Sequence, residues 1–370
     1  MKIDKGEISG TQFMFSVACF IQSAALLTAF LVSITLQDSW LVVLLGFILG
    51  LLLLWVFRNL MVMFPEQNLI QILDNVYGPV IGKIIGVGYI WFFFTLTSIN
   101  FMDIGDFVKQ TMLKETPILI LVILCMLVSV IAVRDGITLV TKYSTLFVVV
   151  TIFILIFSVL LVINQINLQN FLPMFDQPFM KYVQGTHLIT TIPFGETVAL
   201  LMIHPNVKQS RRDTTKHLFV GFALGVITVL VIIMRDITTL GNTMEMFTLP
   251  HVVALSLANL GPALSRIEIL FFIVFIMLMF FRITLLYYVS VLAVAYLMKI
   301  KAYRHIVLVM GTLMLFYGLT LYPNPVAHAL SAQQIVPFLW TPFEILIPLL
   351  TLIIAKIRKM PQAKMEAKEE

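Results

Sequence analysis

The sequence predicts an all-α integral membrane protein of about ten transmembrane helices, built as a 5+5 inverted repeat with helices one and six interrupted. Three observations predict it: the hydropathy of the whole chain, the alternation of basic residues between its apolar stretches, and two polar interruptions at corresponding places in the two halves.

The composition is 60% hydrophobic and 12% charged, and the mean hydropathy is +1.02, far from the balance of soluble domains. Apolar stretches of about 18 residues or more, enough to cross about 30 Å of hydrocarbon, take up nearly all of the 370 residues. The chain reads as a single polytopic domain over 1–370, with repeat halves near 10–166 and 184–357 and a cytoplasmic tail at 358–370. No length is left for a sizeable aqueous domain.

Taken in order, the first span is expected near Gly10–Leu36. It is longer than a secretory apolar core of about 7–15 residues and lacks a small-residue cleavage signal, so it reads as a retained helix. The others follow near Trp40–Phe64, Gly82–Val108, Pro117–Val133, Ser144–Ile166, Gln184–His204, His217–Thr239, Ile267–Met298, His305–Leu321 and Pro342–Ile357. Between spans two and three, Leu69, Ile72, Leu73 and Val76 recur at helical spacing within Glu66–Tyr77, which predicts an interfacial helix. Two connections on the opposite face are long, Asn167–Lys181 and Leu240–Ser265. Within the second, Met246–Leu260 reads either as a short helix dipping back or as a plain surface loop. The pairs Gly46/Gly50, Gly82/Gly86 and Gly221/Gly225 have the spacing that lets helices approach closely, here read as internal packing.

The net charge of +5 does not point to nucleic acid, because the basic residues alternate between the ends of successive spans. About 18 of the 24 Lys and Arg fall on one side, including Lys2, Arg58, Arg134, the Lys208–Lys216 loop and the tail. About five, Lys109, Lys114, Lys181, Arg235 and Arg266, fall on the other. The positive-inside rule then places both termini in the cytoplasm. Cys19 and Cys125 lie inside apolar helices, so no disulfide, metal cluster or cofactor is expected. An enzyme is disfavoured: Gly78–Lys83 lacks phosphate-loop spacing, and the six His are scattered.

The chemistry concentrates at Glu196, set in an apolar span behind Pro193, Phe194 and Gly195. A carboxylate near the bilayer centre costs a few kcal/mol or more unless it faces protein or water. Pro removes a backbone donor and Gly weakens a helix, so the span should break there and free backbone groups that can hold a polar solute. In span one, Gln22 and Ser23 interrupt an apolar run in the same way. Five spans separate the starts of the two interrupted segments, which is the sequence mark of an inverted repeat with a mid-membrane site. Arg282 lies halfway along span eight, too deep to snorkel easily. It is expected to pair with Glu196, directly or through water; the alternatives are capping of carbonyls or a pair with Asp103.

The chain resembles the spore germinant-receptor B subunits, the endospore germination permease family of the amino acid–polyamine–organocation superfamily. The resemblance rests on Ile8-Ser9-Gly10-Thr11-Gln12-Phe13, on Pro193-Phe194-Gly195-Glu196-Thr197 and on His204-Pro205-Asn206-Val207. It implies the leucine-transporter-like fold and a site in which amides near Ser23, Ala24 and Ala25 hold a ligand carboxylate. Carbonyls around Cys19–Ile21 and Ile192–Phe194 would accept from a ligand ammonium, and Phe94, Thr97, Ser98 and Phe101 of span three would shape the pocket. Relatives carry Gly-x-Gly where this chain has Ser23-Ala24-Ala25, which implies a tighter break. Glu196 could serve as structural cap, ammonium counter-ion or proton acceptor. The function implied is a nutrient-sensing subunit in the spore inner membrane, working with A-type and C-type subunits. A proton- or cation-coupled amino-acid permease is the alternative, and an ion or water channel a third reading.

Overall fold

The computed structural model describes residues 6–24, 33–208, 210–247, 249–257 and 268–360. Ala25, the rest of the expected outer half of span one to Val32, Arg266 and the tail beyond 360 lie outside the described residues.

Among the described residues, eight helices are long and apolar enough to cross a membrane. Val307–Leu321 and Pro325–Gln334, bent by 90°, make a ninth if they form one span. The tenth expected crossing is span one, whose described helix is Gly10–Gln22, 13 residues. At 1.5 Å per residue that is about 20 Å, short of a full crossing. Ser9 starts this helix through a capping box: its hydroxyl accepts from the Gln12 amide at 3.2 Å, and the Gln12 side chain accepts from the Ser9 amide at 3.0 Å. The same device, built from Asn68 and Gln71, starts the helix Leu69–Tyr77, whose predicted apolar face, Leu69, Ile72, Leu73 and Val76, is buried against the protein.

Spans two, three and four are Ser39–Met63, Ile81–Thr111 and Ile118–Asp135. Span five is entered through a short helix, Ile137–Lys142, and continues as Ser144–Leu161. Span six begins at Phe179, five residues before the expected Gln184, because Pro178 opens the helix. Span seven is Arg211–Leu240 and span eight Glu268–Leu297. Between them the connection contains a short helix, Pro250–Ser256.

Span ten departs most from expectation. It runs from Val336, not Pro342, and Pro342 sits inside it at the start of a widened turn, Pro342–Leu346. Pro is favoured at helix starts, which is why the sequence alone points to a span beginning at Pro342. Arg235, counted among the charges of the non-cytoplasmic side, is buried within span seven.

Two short strands, Ile8–Ser9 and Val207–Lys208, pair in parallel and bring the start of span one beside the end of span six. Lys208 and Glu7 are 2.6 Å apart there, and the Asn206 amide donates to the Gly6 carbonyl at 2.7 Å. The described helix of span one and the end of span six therefore run in opposite directions. The small-residue pairs are buried in internal contacts: Gly225 lies against Ile21 and the Ala18 carbonyl of span one, Gly50 against Phe222 and Phe194, Gly82 against the backbone of the Leu69–Tyr77 helix. Leu52, Trp55, Ile131 and Phe153 are exposed and form part of the apolar belt that faces lipid.

Candidate functional site

Span six breaks where its residues dictate. Pro193 has no N–H to give, and Ile192 takes extended dihedrals (φ −110°, ψ 108°) inside a widened turn, Thr190–Phe194. A tight turn, Gly195–Ala199, follows and carries Glu196. Threonine hydroxyls bond back to carbonyls around the break: Thr190 donates to the Thr186 carbonyl at 2.6 Å, Thr191 to that of His187 at 2.9 Å, and Thr197 to that of Phe194 at 2.6 Å.

Glu196 is buried and forms an ion pair with Arg282 of span eight, also buried. The guanidinium does more than pair. Its Nε donates to Asn100 Oδ1 of span three at 2.9 Å, and Nη1 donates to the Phe20 carbonyl of span one at 3.1 Å. A single side chain thus joins spans one, three, six and eight. Three of its five N–H groups are engaged by described residues, and two remain.

Arg282 also lines a cavity of about 100 Å³, together with Ser23, Asn100, Asp103, Asp106, Phe107, Met279 and His328, among others. Asn100, Asp103 and Asp106 follow at three-residue steps on one face of span three. His328, from Pro325–Gln334, sits with Nδ1 3.4 Å from Asp103 Oδ1 and stacks on Tyr322. Gln110 and Leu249 also line it, the latter just before the Pro250–Ser256 helix.

Of the residues singled out from sequence, Ser23, Asp103 and Arg282 line this cavity. Glu196 lies behind Arg282 and not on the wall. Gln22 is turned the other way, its amide donating to Thr228 of span seven at 2.9 Å. Thr97 bonds the Phe93 carbonyl and contacts Ser290, and Ser98 bonds the Phe94 carbonyl; both lie in helix packing away from the cavity. Phe194 packs on Phe222, and Gly195 faces Glu344 of span ten. Ala24 is buried and Ala25 is outside the described residues. The residues that sequence reasoning missed are Asn100, Asp106, His328 and Glu344. The three-residue polar repeat in span three was the available signal. Among the described residues no group of three or more His, Cys, Asp or Glu could hold a metal ion.

A family profile described as spore germination protein matches residues 7–325. The chain belongs to this spore germination family. It is similar to spore germination protein KB of Bacillus subtilis (strain 168), 26% identical over 373 aligned residues that cover 99% of each chain. Among solved structures it is similar to Mhp1, a nucleobase-cation-symport-1 family transporter in a closed conformation with bromovinylhydantoin bound. That match has a TM-score of 0.65 and 13% identity, covering 92% of this chain and 79% of the other. The spore germination chain therefore has the leucine-transporter-like fold expected of it, and family and fold are those of multi-pass membrane permeases, not of an enzyme.

Proposed function

We propose that this chain is the membrane subunit of a spore germinant receptor and that it binds a small nutrient bearing both a carboxylate and an ammonium group, an amino acid above all. The observation that carries this reading is the lining of one cavity by the Arg282 guanidinium and by the carboxylates of Asp103 and Asp106. The two remaining guanidinium donors suit a carboxylate, since charge-assisted bonds of this kind are short and strong. An ammonium group would then lie against span three, toward Asp103 and Asp106. On the basic-residue count both termini would be cytoplasmic and the cavity would lie toward the outer side of the spore inner membrane. A-type and C-type subunits would receive the signal.

The test is binding of a labelled amino-acid panel to the purified chain in nanodiscs, with Asp103→Asn and Asp106→Asn as comparisons. Saturable binding weakened tenfold or more in folded variants supports the reading. No binding by the chain alone or with its partner subunits would overturn it. The transporter fold favours a second reading, a coupled amino-acid permease, and solute accumulation by vesicles holding this chain alone would select it.

A further inference from the structure

Glu344 is the acidic residue whose surroundings the site does not explain. It lies on the widened turn Pro342–Leu346 of span ten and is wholly buried. Neither carboxylate oxygen has a hydrogen-bond partner among the described residues. The group lies against Gly195: a Cβ placed on that glycine would be 2.5 Å from Glu344 Oε2. Its electrostatic neighbours are Glu196 on the span-six turn and Arg282 on span eight. Tyr89 of span three lies alongside, but its hydroxyl is committed to the Phe343 carbonyl at 2.6 Å. His187, on the first half of span six, is committed to Thr341 at 2.8 Å, and Tyr77 of the Leu69–Tyr77 helix contacts Thr351.

Of these two charged neighbours the one cation, Arg282, is already bonded to Glu196, so Glu344 has no cation of its own among the described residues. A buried ionised carboxylate without a partner is not sustained in a protein interior; it is neutralised by a proton or a bound cation. A metal cation requires several oxygen ligands at bonding distance. The cavities beside Arg282 and Gln22 do not reach Glu344, whereas a proton requires no such room.

We propose that Glu344 is a proton-binding site. Its carboxyl group holds one proton while the span-six break is packed against it. When that break moves away, the O–H bond is broken, the proton passes to water, and a carboxylate is left to compete with Glu196 for Arg282. The proton thereby reports whether the Gly195–Glu196 turn is seated, whatever solute fills the cavity.

The experiment is infrared difference spectroscopy between neutral and alkaline pH on the purified chain in nanodiscs, with thermal unfolding measured on the same samples. Glu344→Gln keeps the shape of the protonated group and is the comparison; Glu196→Gln is the control for the neighbouring carboxylate. The wild type should show a protonated-carboxyl band that disappears as pH rises, together with a falling Tm. Glu344→Gln should lack the band, match the wild-type Tm at low pH and lose the pH dependence. A band that persists in Glu344→Gln and vanishes in Glu196→Gln would overturn the proposal. So would an unfolded Glu344→Gln chain, or a Tm that sodium or potassium restores at high pH where choline does not.

Discussion

The guanidinium of Arg282 donates to the main-chain oxygen of Phe20 and also lies over the ring of that residue, 4.6 Å from its centroid. Phe20 stands in the last turn of the described helix of span one, where carbonyls lose their helical partners and the helix dipole is negative. A cation from span eight thus closes the end of one interrupted helix while its ion pair holds the turn of the other. The pairing with Glu196 and the capping of a carbonyl, alternatives when only the sequence is considered, occur together in one side chain.

Removing either member of this pair should be worse than removing both. Arg282→Gln leaves a buried Glu196 without its cation, and Glu196→Gln leaves a buried guanidinium, each at a cost of about 3–5 kcal/mol. The double variant should be milder than Arg282→Gln, with coupling measurable as a departure from additivity in the thermal unfolding of purified protein. Simple addition of the two effects would sink the pair as an energetic unit.

A second buried network sits at the other end of span seven. Asp236 accepts from Arg235 at 2.7 Å and is bonded through its other oxygen to His251 of the Pro250–Ser256 helix. Arg235 also donates to Ser158 at 2.9 Å, which ties in span five. Asp236→Asn weakens the hold on that helix, since it removes the charge that both neighbours share. The expected outcome is faster protease cleavage and faster amide exchange within 249–257, with the cores of spans two and three unchanged. Equal protection in wild type and variant would count against this latch.

The main outline of the fold was legible because bilayer length and charge alternation act locally along the chain. Glu196, Pro193 and Gly195 announced the break in span six by being the wrong residues for an apolar helix. The cavity was less legible, because its wall is assembled from residues that look ordinary singly. Asp103 and Asp106 stand near a helix end, where charges are common, and His328 lies between the ninth and tenth expected spans. Glu344 was hidden by Pro342: a proline two residues before it reads as a helix start, and only the packing of span ten against Gly195 places that carboxyl at the centre.

The contact between spans one and seven offers a steric test. A Cβ on Gly225 would lie 2.7 Å from Ile21 Cβ and 3.2 Å from the Ala18 carbonyl, so Gly225→Ala must push the helices apart. Overpacking of this kind costs about 1–3 kcal/mol. The expected result is a lower Tm, together with a weaker Gln22–Thr228 bond that raises amide exchange at the end of span one. Gly86, whose nearest side-chain contact would be an ordinary 3.5 Å from Leu297, serves as control: Gly86→Ala should be tolerated within about 0.5 kcal/mol.

Gly195 tests the seating of span ten on the span-six break. A methyl group there would meet Glu344 Oε2 at 2.5 Å and the Cβ and Cδ atoms of the same residue at 2.9 Å. Neither neighbour can yield easily, because Glu344 stands on a turn held by Tyr89, whose hydroxyl bonds the adjacent Phe343 carbonyl. Gly195→Ala should therefore destabilise by about 1–3 kcal/mol. Truncating Glu344 to Ala removes Oε2 and Cδ but leaves its Cβ in the way, so relief should be partial. The double variant Gly195→Ala/Glu344→Ala is expected to be more stable than the sum of the single effects by about 1 kcal/mol in a thermal-unfolding cycle. Additive effects would mean that the two residues do not share one space. Coupling of the expected sign would establish that span ten reads the position of the turn bearing Glu196 through direct contact.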